Sequence, residues 1–396
     1  MDIHLSPPSK TILAIVTASL LTACSGSSIS GQQTPQQAAG PLAIGLVVPL
    51  SGVYAPLGED MTNGFKLYLD QHGGRLGGKE IALKSSDEGE GPQTGVPAAT
   101  KLVTQDKAVA VAGIVNSATA LGARNAFIES KVPLVIANAG ANDVTAGASP
   151  YIWRTSFTNN DVAASLGAEV AEQAGDGSVY LIAPDYAAGK EMIGGFKKTF
   201  EAAGGKVAGE SFTPFGTTKD FQPFLSTIKG SGAKAVFCFY SGAEAVGFVT
   251  QYAQFGLADD LPLYATGFLT EGSVLKAQGG AATGAQTSLH YSDQIDTPRN
   301  KEFVAAYQAA YNEPPTVFAV QAYDAAAVLD KAIAKAAAPT GEAIAKVIGE
   351  IGPIDSPRGQ WSFDADHDPT QPYYLRKVED RAGTLVNVVV KKLGQD

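Results

Sequence analysis

The sequence predicts an α/β protein made of two doubly wound lobes. Three observations carry this. Short apolar runs of strand length alternate with amphipathic segments of helix length from residue 42 onward. The alternation pauses near residue 158 and restarts for a second series of similar length, without sequence repetition. The chain has 396 residues, 45% of them hydrophobic, enough to fill two cores.

The elements come in order. Lys10, an apolar stretch from about Ile12 and the run Leu21-Thr22-Ala23-Cys24 have the layout of a bacterial lipoprotein signal. The apolar stretch is short for a bilayer span. Residues 1–23 are therefore expected to be removed and Cys24 to carry lipid, with residues 24–40 (CSGSSISGQQTPQQAAG) as a flexible spacer. Leu42–Leu50 reads as a buried parallel strand and Gly58–Gln71 as a helix. Strands at Ile81–Ser85, Ala108–Ile114 and Leu134–Ala137 alternate with helices at Val96–Gln105 and Leu121–Ser130. In the second series, helices at Asp161–Gln173, Gly189–Ala203, Phe221–Lys229 and Glu244–Phe255 alternate with strands at Ser178–Ala183, Lys206–Phe212, Ala235–Tyr240 and Leu263–Ala265. The helical tracts Pro298–Tyr311 and Val317–Ala334 come too late for the second series and are expected to pack back on the first lobe.

Charge and motif content narrow the function. The formal net charge is -10, which argues against nucleic acid and against a broad basic membrane patch. There is no Gly-x-Ser-x-Gly elbow, Gly-x-Gly-x-x-Gly fingerprint or P-loop, and no histidine pair has zinc-ligand spacing. No cofactor and no metal are expected, and no enzymatic role. Asp364, Asp366 and Asp368 alternate like the start of a calcium loop, but Pro369 replaces the turn glycine, so a solvated turn is expected. With Cys24 acylated, Cys238 is alone inside Ala235–Tyr240 and is expected to fill core space.

In doubly wound sheets, ligands bind beyond the carboxyl ends of the strands. The loops there hold Tyr54 and Leu57, then Asn116 and Ser117, then Asn138, Ala139 and Gly140, then Tyr186, Tyr240 and Ser241, then Gly267 and Phe268. They are rich in Ser, Asn, Gly and Tyr and poor in charge. Small residues at a helix start expose backbone N–H groups that suit a carboxylate, and Ser117 adds a hydroxyl. Ser117 and Asn138 also fit plain helix caps.

In order and spacing, Val48-Pro49-Leu50-Ser51-Gly52, Leu57-Gly58, Asn63-Gly64, Val111-Ala112-Gly113, Asp185-Tyr186 with Gly189, Tyr323-Asp324-Ala325 and Gly359-Gln360-Trp361-Ser362-Phe363 resemble the type I periplasmic solute-binding proteins of ABC importers, the branched-chain amino-acid binding family, from Ile44 to about Val390. The runs Tyr151–Phe157, Ala183–Lys190, Gln251–Gln254, His290-Tyr291-Ser292 and Phe318–Tyr323 are similar to its branch that binds aromatic acids.

The resemblance implies two lobes joined by three crossovers, residues 41–157 plus about 288–360 and residues 158–287 plus about 361–396. It also implies a small carboxylate bound between the closing lobes. Ser117 would hold the carboxylate, Asn138, Ala139 and Gly140 would add backbone and amide groups, and Leu57 a wall. Tyr186, Tyr240, Ser241 and Phe318 would stand around the cleft mouth and covering lobe. Amino-acid binders place a carboxylate for the ligand ammonium near the position of Gly267; here Glu271 comes too late. An aromatic acid is thus expected before an amide or a branched-chain amino acid. Arg154 is a candidate carboxylate partner and His290 a candidate partner for a ring substituent. The implied partners are ABC permease subunits with their cytoplasmic ATPases, and the membrane through the lipid anchor; a monomer outside the cytoplasm is expected. A ligand-sensing receptor component and a tethered enzyme are the other readings.

Overall fold

The computed structural model describes residues 40–52 and 54–394. The signal segment, Cys24 and nearly all of the spacer lie outside the described residues. Among the described residues no helix is long and apolar enough to cross a membrane.

Fifteen strands run along the described chain: β1 Leu42–Val48, β2 Arg75–Leu76, β3 Lys79–Asp87, β4 Ala110–Gly113, β5 Leu134–Ile136, β6 Ile152–Arg154, β7 Ser178–Pro184, β8 Lys206–Thr213, β9 Ala235–Cys238, β10 Leu263–Thr266, β11 Gln286–Leu289, β12 Ser362–Phe363, β13 Pro369–Thr370, β14 Tyr373–Arg381 and β15 Thr384–Leu393. The α-helices are α1 Ala55–Gln71, α2 Pro92–Thr104, α3 Ser117–Ser130, α4 Asn159–Ala174, α5 Ala187–Ala202, α6 Gln222–Gly230, α7 Gly242–Gln254, α8 Leu257–Asp260, α9 Ser273–Gln278, α10 Pro298–Tyr311, α11 Val317–Lys335 and α12 Gly341–Ile348.

Two large sheets result, ordered β2-β3-β1-β4-β5-β6 and β15-β14-β11-β10-β9-β7-β8, and β12 and β13 pair as a small third sheet. Within them β3-β1-β4-β5-β6 and β8-β7-β9-β10-β11 are parallel, while β14 and β15 add an antiparallel edge. The mixed α/β, two-lobed architecture agrees with the sequence expectation. The chain passes between the sheets after β6, after β11 and again before β14.

Strand parity explains the cores. Ile44, Leu46 and Val48 face one core and Val47 the other; Val179, Leu181 and Ala183 face the first and Tyr180 and Ile182 a third. Both faces of each large sheet are covered, which is why these strands read as continuous apolar runs. The late helix α11 lies along α1 of the first lobe, and a Cβ at Gly64 would overlap the Ala319 carbonyl, so only glycine permits that approach. Threonine side chains cap four helices: Thr158 on α4, Thr297 on α10, Thr316 on α11 and Thr340 on α12.

Three buried arginines tie the segments that pass between the sheets. Arg154 Nε is 2.7 Å from Asp368 Oδ1, Arg358 Nε is 2.8 Å from Asp324 Oδ2 and Arg376 Nη1 is 2.9 Å from Glu271 Oε2. Two expectations change here. The Asp364–Asp368 turn does join two strands, but Asp368 is buried against Arg154 and Thr145 rather than solvated. Arg154 spends its guanidinium on Asp368, the carbonyls of Ala139 and Ala141 and the Thr145 hydroxyl.

Candidate functional site

In each large sheet the strand order reverses beside the first strand of its series: β1 lies between β3 and β4, and β7 between β8 and β9. Loops leaving such neighbouring strands in opposite directions open a crevice at their carboxyl ends. The loops after β1, β4, β7 and β9 all reach one cavity of about 260 Å³. The loops after β5, β6, β8 and β10 and the first turn of α11 complete it.

The β4 exit is the most constructed part. Gly113 has φ +122°, and a Cβ there would overlap the Val47 carbonyl. Ile114 comes next at φ +66°, a left-handed conformation that a β-branched residue rarely adopts. Glu88, fully buried, holds the strained turn by accepting Val115 N–H at 2.7 Å and Asn116 N–H at 2.8 Å. Asn116 then caps α3, its Oδ1 accepting Ala118 N–H at 2.9 Å and Thr119 N–H at 3.2 Å. Ser117 Oγ accepts Ala141 N–H at 3.1 Å, so its own O–H remains to donate into the cavity.

Burial pushes the Glu88 carboxyl up to about 7, against the two backbone N–H groups that pull it down. Its ordinary value is 4.5, so folding takes up a proton between the two. A raised carboxyl favours the folded state below about pH 4.5 and loses that contribution as pH rises through about 7. The melting temperature is therefore expected to fall across this window. Asp60, pushed up to about 7 by burial, acts in the same direction. Glu88→Gln should flatten part of the slope, measured by thermal melts from pH 4 to 8; an unchanged slope would show that Glu88 is not its source.

The structure brings Tyr54, Leu57, Asn116, Ser117, Asn138, Gly140, Tyr186, Ser241, Phe268 and Phe318 to the cavity wall. It also brings residues that the sequence reading passed over, among them Phe157, Asn159, Met192, Phe215 and Phe239. Tyr186 stacks on Phe215 with centroids 4.1 Å apart, and Phe157 lies 4.8 Å from Phe268. Asn159 donates its amide N–H to Glu191 at 2.7 Å, which turns its Oδ1 away from that carboxylate as an acceptor. Among the described residues of the wall there is no Asp, Glu, Lys or Arg.

Four expected residues stand elsewhere. Ala139 packs into the core behind the first sheet and its carbonyl accepts from Arg154. Gly267 is pressed against Leu289 and Arg376. His290 is fully buried behind the wall, its ring 5.8 Å from that of Phe157. Tyr240 faces the far core against Phe221 and Phe248, its hydroxyl 3.2 Å from Thr213 Oγ1.

Parity is the reason for the last. Ala235 and Phe237 face the core that Phe196 of α5 fills, so Phe239 lies on that side of the sheet and Tyr240 on the other. Tyr240→Phe is accordingly expected to leave ligand affinity unchanged and to cost about 0.5–1.5 kcal/mol of stability through the lost hydroxyl contact. Phe239→Ala should weaken binding; titrating both variants with one ligand separates them, and equal losses would contradict the assignment.

A larger groove, about 690 Å³, lies between the α1 start and the 271–280 and 380–387 segments. It carries Glu59, Asp60, Asp293 and Glu313 on its wall, and its Glu271 and Arg376 neutralise each other. Its wall carries several ionisable side chains, whereas the described wall of the cavity at the strand ends has none and is rich in aromatic rings, so that cavity is the candidate.

Comparison with known proteins decides the family. A family model described as "Periplasmic binding protein" matches residues 41–384. The chain belongs to the periplasmic binding protein family. It is 32% identical over 343 residues to the Leu/Ile/Val-binding protein homolog 6 of Brucella melitensis, covering 85% of this chain and 87% of the relative. An ABC transporter solute-binding protein from R. palustris, solved in complex with benzoate, superposes with a TM-score of 0.81 at 35% identity, over 90% of this chain and 98% of that one. A second R. palustris solute-binding protein, solved with 4-hydroxybenzoate, gives 0.83 at 32% identity, over 89% and 96%. As a periplasmic binding protein the chain is an extracytoplasmic solute-binding protein of ABC-transporter type. The thiol of Cys238 is buried in the core, which pushes its pKa up.

Proposed function

We propose that this periplasmic binding protein captures a small aromatic carboxylate between its lobes and presents it to the permease of an ABC importer, held to the membrane by lipid on Cys24. The absence of any ionised side chain on the described cavity wall, set against seven aromatic rings, among them Phe157, Tyr186, Phe239, Phe268 and Phe318, carries this reading. An aromatic acid needs one anion site and a flat apolar slot. The Ser117 hydroxyl at the start of α3 supplies the first and the rings the second.

A zwitterionic amino acid would bring an ammonium group into the same cavity. A buried cation without an anionic partner costs several kcal/mol. Glu271 does not meet that need: it is buried, paired with Arg376, and accepts Val317 N–H at 2.8 Å. Contacts from both lobes to one ligand favour the closed arrangement by their differential affinity. Benzoate and 4-hydroxybenzoate are expected to raise the melting temperature in a thermal-shift panel, and leucine to leave it in place. A shift with leucine alone would replace the aromatic acid by a branched-chain amino acid.

A further inference from the structure

One buried polar chain runs from the cavity wall to residues behind it. Asn138, on the cavity wall, has its Nδ2 3.0 Å from Gln321 Oε1. Gln321, fully buried on α11, has its Nε2 3.0 Å from His290 Nε2. His290 Nδ1 is buried and has no hydrogen-bond partner. The imidazole lies between the rings of Phe157 and Tyr373.

Such a chain of two amides and one imidazole can run in two senses, related by turning both amides through 180°. Burial, with Arg358 and Arg376 nearby, keeps the His290 ring neutral, so it carries one N–H. If Gln321 Nε2 donates to His290 Nε2, that N–H must sit on Nδ1, where a buried donor is left without an acceptor. Asn138 then donates inward and turns its Oδ1 to the cavity. In the opposite sense His290 Nε2–H donates to Gln321 Oε1, Gln321 Nε2–H donates to Asn138 Oδ1, and only a lone pair on Nδ1 goes unused. A buried orphan donor is the rarer and costlier defect.

We propose that His290 is a positioning residue: its Nε2–H sets the direction of the Gln321 and Asn138 amides so that Asn138 presents its N–H₂ to the cavity as a second donor for the ligand carboxylate. The inference deepens the proposed function and rests on it for the ligand's identity. It also explains why two residues that do not line the cavity, His290 and Gln321, share a buried polar contact beside it. A preset donor orientation removes the cost of choosing one on binding.

Nitrogen-15 NMR of the histidine rings in the mature full-length protein tests this directly, with His290→Gln identifying the His290 signals. Protonation at Nε2, with or without benzoate, is expected; protonation at Nδ1 would overturn the proposal. The second readout is Gln321→Met, which breaks the chain without emptying the space. Its benzoate affinity should fall roughly 3–10-fold, the worth of one oriented hydrogen bond. Binding of benzyl alcohol, which can accept or donate at Asn138, should change less. Equal losses for the two compounds, or no loss, would contradict the relay. If wild-type protein binds no aromatic acid, the proposed function fails, and the tautomer read from ligand-free protein still decides the relay.

Discussion

Arg358→Met is expected to destabilise the protein by about 3–5 kcal/mol, the cost of breaking a buried ion pair from one side. Arg358 is fully buried. Its Nε stands 2.8 Å from Asp324, its Nη2 donates to the Thr155 carbonyl at 2.6 Å, and its Nη1 donates to the Ser156 carbonyl at 3.3 Å. Its guanidinium also lies 4.8 Å from the Trp361 ring centroid. One side chain thereby joins the segment that leaves the first sheet after β6, the helix α11 and the segment that returns toward β14. Methionine would fill the volume and leave the Asp324 carboxylate with only Ser356 Oγ and Trp361 Nε1 as donors. Thermal or urea unfolding measures the loss. Replacing both partners, Arg358→Met with Asp324→Leu, should cost less than the single change, because no charge is then stranded. A single variant as stable as the parent would show that this pair does not hold the hinge region.

Ser117→Ala carries the second large effect, chiefly on binding. Ser117 Oγ accepts Ala141 N–H, which fixes the oxygen and leaves its proton for the cavity. Alanine removes the donor to the carboxylate and strands the Ala141 N–H at once. The loss is expected at about 1–3 kcal/mol, or roughly 5–150-fold in Kd. Stability should also fall, by about 1 kcal/mol for the Ala141 N–H left without its acceptor, while the α3 cap, which is Asn116, stays in place. Calorimetric titration of the variant with benzoate measures it. Unchanged affinity would take Ser117 out of the carboxylate site and leave the aromatic slot without its anion end.

The strands and helices of both lobes were legible because the parallel sheets are covered on both faces and their strands are short apolar runs bounded by turn residues. Pro298–Tyr311 agrees at both ends, with Thr297 as cap and proline in the first turn. Most other helices begin two to four residues earlier than the apolar periodicity suggests: α3 at Ser117 rather than Leu121, α1 at Ala55 rather than Gly58. Their first turns hold mostly small, polar or proline residues, and a hydrophobic period cannot register them. The edge hairpin β14–β15 and the short helix α12 escaped for a different reason. Lys377, Glu379, Lys391 and Lys392 interrupt the apolar pattern of the hairpin, as edge strands require.

The site was legible to the resolution of a loop. The converging loops could be picked out from the strand ends alone, because ligand position in a doubly wound sheet is a property of topology. Phe157 could not, since it follows β6, a three-residue strand too short for the apolar pattern to mark. Reading the strand to Phe239 puts Tyr240 first in the loop, whereas the strand stops at Cys238 and Phe239 leads that loop. Counting parity back from Phe237 would have separated the two. The partners of Arg154 and Glu271 could not be read at all, since each pairs with a residue more than one hundred positions away.

The central claim is that an uncharged, aromatic-walled cavity takes one negative head group and refuses a zwitterion. Isothermal titration of the protein with benzoate, 4-hydroxybenzoate and leucine, each after unfolding and refolding to strip any carried ligand, tests it most directly. Saturable binding of at least one aromatic acid, with leucine at least a hundred-fold weaker, about 2.7 kcal/mol, is the predicted result. Tight leucine binding with no heat from either aromatic acid would contradict it.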